Sequence, residues 1–307
     1  MTEDKKYKAP KLTKKDFETI FPSEESCLHK IFTLKYKNTH TCEKCNKSFK
    51  YHKLNNQKLY SCQWCGHNIA PMANTIFHKS PTPLKDWFYA IYLFSVSKNG
   101  VSAKELERQL GVTYKCTYRI GQRIRSLFDG DIDILKSIVE VDETYFGGKE
   151  KNKHSNKKTP NTQGRSTKTK TPIVGAVERN GNVIARVVEN TESKVIVDFI
   201  NENVEKGSEL NTDEYRAYSK IAKHGYIHKV IDHSKKMYYV DGVSTNAMEG
   251  FWSQLKRSIH GTYHSLSAKH LQNYVNEFVF RYNHRRSNQH IFISLMEKVA
   301  LPFQVEV

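Results

Sequence analysis

Two rhythms of apolar positions run along this chain, one of about 3.6 residues and one of two. Residues 1–37 are lysine-rich, with Phe17, Ile20, Phe21, Leu28, Ile31, Phe32 and Leu34 as apolar anchors broken by Pro22. This predicts one or two short helices. After Pro83, the positions Leu84, Trp87, Phe88, Ala90, Ile91, Leu93, Phe94 and Val96 cover a wide helical face, which predicts a largely buried helix. Ser102-Ala-Lys-Glu105 has the form of a capping box, with Leu106 and Leu110 behind it. Gly111-Val-Thr113 predicts a turn, and Tyr114 to Phe128 a second helix carrying Lys115, Arg119, Arg123 and Arg125.

The rhythm then switches to two. Val139 and Val141 predict a strand with Asp142 on the face opposite the valines. Asn180-Gly181 between two β-branched runs predicts a hairpin. Thr191-Glu-Ser193 opens a predicted helix through Val195, Ile196, Phe199, Ile200 and Val204, ending near Gly207. A strand to Asp213 follows, then a helix around Tyr215 to Lys223 and a short strand from Ile227 to Ile231. Phe251, Trp252 and Leu255 mark a helix that packs on the sheet. Ser267 to Arg286 reads as an amphipathic helix with Leu271, Tyr274, Val275, Phe278, Val279 and Tyr282 inside.

The order strand, hairpin pair, helix, strand, helix, strand, helices is that of a ribonuclease-H-like fold. In it, three antiparallel strands are extended by parallel ones reached through helices. The predicted class is α+β or α/β and multidomain. A helical lead-in (1–37) precedes a zinc ribbon (38–80) and a small helix-turn-helix-like domain (81–130). A ribonuclease-H-like domain (135–300) completes the chain. In such a sheet the first and fourth strands are neighbours, so Asp142 and Asp213 would face each other, and Glu249 would reach them from the helix after the last strand.

The charge narrows the partner. The 307 residues carry 49 basic and 32 acidic side chains, a net +17, which implies a polyanion and salt-sensitive binding. No apolar run approaches a membrane span, and Met1-Thr-Glu-Asp-Lys-Lys lacks the pattern of a signal peptide. The expectation is a cytoplasmic, nucleoid-associated protein, or a nuclear one in a eukaryotic host. Cys42-x2-Cys45, sixteen residues and Cys62-x2-Cys65 have the spacing of a structural four-cysteine zinc site. Cys27 and Cys116 fall in apolar patterns and are expected to pack.

Three acids carry the candidate chemistry. Asp142, Asp213 and Glu249 lie on separate predicted elements, with 35 residues between the last two. Three such carboxylates can hold two Mg²⁺ or Mn²⁺ ions for in-line attack on a phosphodiester. The bland alternatives are turn or surface roles for the aspartates, and an N-cap partner role for Glu249 in Asn246-x-x-Glu249. Lys256 lies two helical turns beyond Glu249 on the same face, either exposed or beside DNA near the metals. The predicted helix-turn-helix would place the start of its second helix on bases and its arginines on phosphates, unless it is an ordinary helix pair. Residues 147–171 form a basic polar stretch, with Lys149, Lys151, Lys153, Arg165 and Lys168 among its cations. It reads as a solvated loop or as one that grips DNA.

Taken together, several motifs closely resemble the zinc-ribbon DDE transposases of bacterial insertion sequences, with their ISXO-like transposase domain, and the related eukaryotic Merlin elements. They are the four-cysteine ribbon, Thr75-Ile-Phe-His-Lys-Ser-Pro, Val141-Asp142-Glu143-Thr144-Tyr145-Phe-Gly-Gly and Thr212-Asp213-Glu214-Tyr215. Glu249-Gly-Phe-Trp-Ser-Gln-Leu-Lys256-Arg257 and Phe280-Arg281-Tyr282-Asn283 complete the set, which spans about residues 15–295. The resemblance implies recognition of terminal inverted repeats by the N-terminal half, and strand cleavage and transfer by the C-terminal DDE domain. It carries Asp142 and Asp213 over as metal ligands. Because some members use asparagine at the third position, it leaves Asn246 beside Glu249 there. Double-stranded DNA, as element ends and target, is the expected partner, bound by a homodimer or higher oligomer. Two rivals are a zinc-ribbon DNA-binding regulator with an inactive nuclease-like domain, and a nuclease or resolvase on the same fold.

Overall fold

The structure is a computed structural model, described here for residues 11–37, 40–48, 50–130, 132–147, 154–160, 162, 166–231, 243–264 and 266–303. It divides into two compact units, Met1–Phe128 with Arg286–Val307, and Asp129–Arg285.

The first unit is built around one helix. α1 (Lys14–Ile20) and α2 (Glu24–Tyr36) each begin with a reciprocal capping box, Thr13 with Asp16 and Ser23 with Ser26. A small antiparallel sheet follows: β1 (Tyr51–Lys53), β2 (Tyr60–Cys62) and β3 (Asn68–Ile69). α3 (Leu84–Val96) is the centre, with Leu84, Trp87, Phe88, Ala90, Ile91 and Phe94 all fully buried. Each large side chain there stabilises the unit by about 1.5–3 kcal/mol. α4 (Ala103–Leu110) and α5 (Tyr114–Arg125) pack on α3, and Gly111 adopts the left-handed conformation that turns one into the other. The ribbon is stapled to α2 by Phe32 stacked on Tyr60, with ring centroids 3.9 Å apart.

In the second unit, a mixed sheet runs in the order β6-β5-β4-β7-β8. It comprises β4 (Ile138–Phe146), β5 (Thr171–Glu178), β6 (Val183–Val187), β7 (Glu209–Thr212) and β8 (Ile227–Val230). β4, β5 and β6 are antiparallel, while β7 and β8 run parallel to β4. α6 (Ser193–Asn203) covers one face, where Ile196, Phe199 and Ile200 meet Val139, Val141, Val174 and Leu210. α7 (Asn246–Ser258) and α8 (Leu271–Asn283) cover the other, where Met248, Phe251, Trp252 and Val275 meet Ile173, Val177 and Val183. α8 also covers the edge strand β6. The Asn283 amide bonds both the N–H and the C=O of Val183, at 2.8 and 3.0 Å, and Gln272 accepts from the Val187 N–H at 2.7 Å. These amides satisfy backbone groups that an open edge would leave bare.

Two segments differ from the sequence expectation. Where a helix was predicted from Tyr215 to Lys223, the chain makes two 3-10 turns, Arg216–Tyr218 and Ile221–His224. Tyr218 and Ile221, three residues apart, both face the core, a spacing that suits a three-residue turn. The last helix, α9 (Ile291–Lys298), falls inside the 135–300 domain drawn from sequence but packs on α3 in the first unit. Its Phe292 joins Phe17 and Phe21 there. Among the described residues, no helix is long and apolar enough to cross a membrane.

Candidate active site

Two groups of metal-ligating side chains stand out, one in each unit. In the first, the sulfurs of Cys42, Cys45, Cys62 and Cys65 all lie within 4.8 Å of one another, with Cys42 3.6 Å from Cys65 and Cys45 3.9 Å from Cys62. Four thiolates about 2.3 Å from a central Zn²⁺ would stand about 3.8 Å apart, so the cage fits that ion. The two knuckles repeat one turn. The residue after each second cysteine, Asn46 or Gly66, has a positive φ and donates its N–H to the first cysteine's carbonyl, at 2.9 and 3.0 Å. All four positions are sulfur, which leaves none open for chemistry. Cys27 is a different case: it is fully buried, and burial pushes its thiol up to about 12, so it packs. Cys116 lies 3.4 Å from the Thr82 hydroxyl.

The second group forms where β7 ends beside the middle of β4. β4 and β7 are direct neighbours, with Glu140 opposite Asn211, so Asp142 and Asp213 emerge side by side. Carboxylate oxygens of Asp142, Glu143 and Asp213 lie within 4.8 Å of one another. Asp213 accepts from the Tyr215 N–H at 2.9 Å, a turn that fixes its carboxylate. The buried Tyr218 hydroxyl donates to Glu143 at 2.7 Å. Burial, then the charge of Glu143, then those of Asp213 and Glu249 push Asp142 up to about 7. Hard oxygen donors crowded until one resists ionising are a donor set for a divalent cation such as Mg²⁺ or Mn²⁺.

α7 forms the other wall. Asp142, Glu143, Thr144, Glu249, Trp252, Ser253, Lys256, Arg257, His260 and Gly261 line one open cleft of about 710 Å³. α7 reaches the sheet closely because Gly175 lies directly opposite Asp142 in the ladder. A Cβ there would stand 2.5 Å from Met248 and 2.7 Å from Trp252. Burial lowers the Lys256 pKa, and the nearby Asp142 charge opposes that shift. At its C-terminal end α7 runs into a π-helical turn, Ile259–Tyr263, which carries His260 and Gly261. This turn is moored to α8 through Tyr263, which donates to the fully buried Glu277 at 3.1 Å, itself paired with Arg281 at 2.8 Å.

Residues 134–283, which hold this cleft, match the family model of the ISXO2-like transposase domain. The chain carries an ISXO2-like transposase domain. Among curated proteins, an uncharacterized protein in transposable element ISH50 of Halobacterium salinarum is 24% identical over 272 residues, 85% of this chain and 91% of that one. An uncharacterized transposase-like protein of Haemophilus influenzae is 26% identical over 111 residues, 35% of this chain and 85% of that one. A solved intasome of simian T-cell lymphotropic virus matches 61% of this chain and 66% of its own at 13% identity, but its TM-score of 0.29 carries no argument.

Within the transposase domain, the structure brings Asp142 and Asp213 together, and Asp142 shares its cleft with Glu249 and Lys256 while Asp213 lies outside the lining. Glu249 is not in the three-carboxylate group; its carboxylate accepts from the Thr245 hydroxyl at 3.2 Å. Thr245, not Asn246, is the N-cap of α7, and Asn246 is the first helical residue, exposed and outside the cleft lining. Glu143 was missed because alternation placed it with the core-facing valines; the tandem acids Asp142-Glu143 were the available signal.

The cations expected on DNA divide. Lys115 and Lys168 are exposed, and Arg257 is exposed on the cleft. Arg119 is half-buried. Arg123 instead donates to the carbonyls of Ile76 and His78, at 2.8 and 3.1 Å, and lies over the Phe303 ring. Arg125 is buried against Phe94 and donates to the Val101 carbonyl at 3.1 Å, so it cannot meet a phosphate. Both arginines occur on the helical face that turns toward the core. Lys149, Lys151, Lys153 and Arg165 lie outside the described residues.

Proposed function

We propose that this chain is a DNA transposase that binds the terminal inverted repeats of an insertion sequence and performs metal-dependent strand cleavage and transfer. The observation that carries this reading is the meeting of Asp142, in the middle of β4, and Asp213, just past the end of the adjacent parallel strand β7, inside the ISXO2-like domain, with Glu249 on the wall of the cleft that Asp142 lines. The mixed sheet order is the one expected of a ribonuclease-H-like DDE domain.

In this reading Asp142, Asp213 and Glu249 hold two Mg²⁺ or Mn²⁺ ions, with Glu143 as a neighbouring donor. Those ions supply activation of the attacking hydroxyl and stabilisation of the departing oxygen. The Tyr218 hydroxyl keeps Glu143 turned toward the aspartates, and the Tyr215 N–H does the same for Asp213. Lys256 and Arg257, on the same wall as Glu249, hold the DNA backbone beside the acids.

The four cysteines hold a structural Zn²⁺ that cross-links the ribbon. The ribbon, the start of α5 with Lys115 and Arg119, and the basic 147–171 stretch supply the DNA contacts. Two element ends must be joined, so the working form is a homodimer or larger.

The test is Mg²⁺-dependent nicking of DNA that carries the inverted repeats flanking the gene. Asp142→Asn and Asp213→Asn each abolish nicking and retain binding to those ends. Nicking that survives in both variants would overturn the metal assignment. Hydrolysis without joining to a target would mean a nuclease, and binding without nicking by the unaltered chain would mean a regulator.

A further inference from the structure

Glu140 is a carboxylate that the cleavage chemistry does not use. It is 2% exposed, in the middle of β4, two residues before Asp142 and on the same face of the strand. A charge buried there requires partners, and it has them. Its Oε2 accepts from the Ala247 N–H at 2.8 Å and the Met248 N–H at 3.3 Å. Its Oε1 accepts from the Ser244 hydroxyl at 2.9 Å and from Arg179 at 3.4 Å. Ala247 and Met248 are the second and third residues of α7, whose N–H groups have no acceptor within the helix. The helix's own N-cap, Thr245, makes no side-chain cap bond, and its hydroxyl goes to Glu249 instead.

Glu140 therefore caps α7 from a strand distant in sequence, at the helix end where negative charge is favoured. The bond is also a ruler. One end sits two residues before Asp142; the other sits on the two residues that precede Glu249. Gly175 keeps the two elements close enough for the grip. We propose that Glu140 is a positioning residue, which fixes the height and rotation of α7 so that Glu249 faces the ion held by Asp142 and Asp213. This rests on the assignment of Glu249 as a ligand.

The experiment is Mn²⁺ titration of the full-length protein, followed by electron paramagnetic resonance, for Glu140→Ala, Glu140→Gln, Glu249→Gln and the double variant Glu140→Ala/Glu249→Gln. Outer-shell partners of metal ligands typically change affinity by about 10–100-fold. Glu249→Gln and Glu140→Ala are each expected to weaken Mn²⁺ about tenfold by that measure. The double variant should be no weaker than Glu249→Gln alone, because both changes remove one function. Glu140→Gln keeps an oxygen for one helix N–H and should fall between wild type and Glu140→Ala; if the alanine variant does not fold, this one carries the test. A folded Glu140→Ala with wild-type affinity, or effects that add in the double variant, would overturn the inference while leaving the ligand assignment in place. Wild-type affinity in Glu249→Gln would overturn that assignment, and the inference with it.

Discussion

The two candidate metal sites of this chain are built by opposite means. The cysteine cage draws all its donors from residues 42–65, and each half is a local turn closed by one backbone hydrogen bond. The carboxylate group draws its donors from strands far apart in sequence and owes its existence to the sheet order. The cage offers four sulfurs and no open position; Asp142 opens on a cleft, and burial first, then the neighbouring carboxylates, lift it to about 7. The cage is thus assembled from local turns, whereas the acid group exists only because the fold holds distant residues together, as perturbed carboxylates at candidate sites often are.

The largest test of this contrast removes a cysteine. Cys62→Ser, or removal of zinc by a chelator, forfeits binding energy that in isolated zinc modules is of order 10 kcal/mol. Cys62 is buried in β2, and the ribbon is stapled to α2. Hydrogen exchange should show protection lost in residues 40–69 and retained in β4–β8. Equal loss in both units would break the comparison.

Asp142→Asn should do the reverse. It removes transition-state stabilisation worth several kcal/mol, a nicking loss of about a thousandfold or more, and the fold persists. Without metal it should even stabilise the second unit. The folded carboxyl, at about 7, lies above an unfolded value of about 3.9. The native state therefore binds the proton more tightly, and stability falls as pH rises from about 4 to about 7. The melting temperature of Asp142→Asn in buffer free of Mg²⁺ and Mn²⁺ should exceed that of wild type at pH 8, with the gap closing toward pH 4. A constant gap would show that Asp142 is not strained.

Gly175→Ala sharpens the comparison at the helix. Its methyl would stand 2.5 Å from the end of Met248 and 2.7 Å from the Trp252 ring, so these side chains of α7 must shift. Overpacking of this kind costs about 1–3 kcal/mol, and nicking should fall further than stability alone accounts for.

The smallest effect is expected at Glu24, which accepts from the N–H groups of Leu84 and Lys85 and pairs with Lys58 of the ribbon. Burial raises its pKa, but the hydrogen bonds from Leu84 and Lys58 outweigh burial and leave it lowered. Its contribution is present above the unfolded value of about 4.3 and is lost as pH falls through the folded one. Glu24→Gln should destabilise the first unit by about 1 kcal/mol at pH 7, with the difference from wild type vanishing in acid.

Much of this was legible in the residues alone, and the reasons are local. Two Cys-x2-Cys pairs, the Asn180-Gly181 hairpin and the stripe from Leu84 to Val96 each follow from short-range geometry. That Asp142 and Asp213 lie side by side was also legible, because strand order constrains which strands are neighbours. Their neighbours were not. Glu143 was hidden by alternation, which counts it with the valines and says nothing of the distant Tyr218 hydroxyl that its carboxylate meets. Arg123 and Arg125 looked like DNA-binding charges because helical spacing counts cations without saying which ones find carbonyls.

What the amino-acid order settled by itself was most of the elements and the two cysteine knuckles, each closed by one local turn. The burial of Glu140, the seat of α7 over Gly175, and the place of α9 beside Phe17 needed the assembled molecule. Each depends on surfaces that meet only after distant segments have packed, and a charge or a missing Cβ has no meaning until its neighbour across the interface is known.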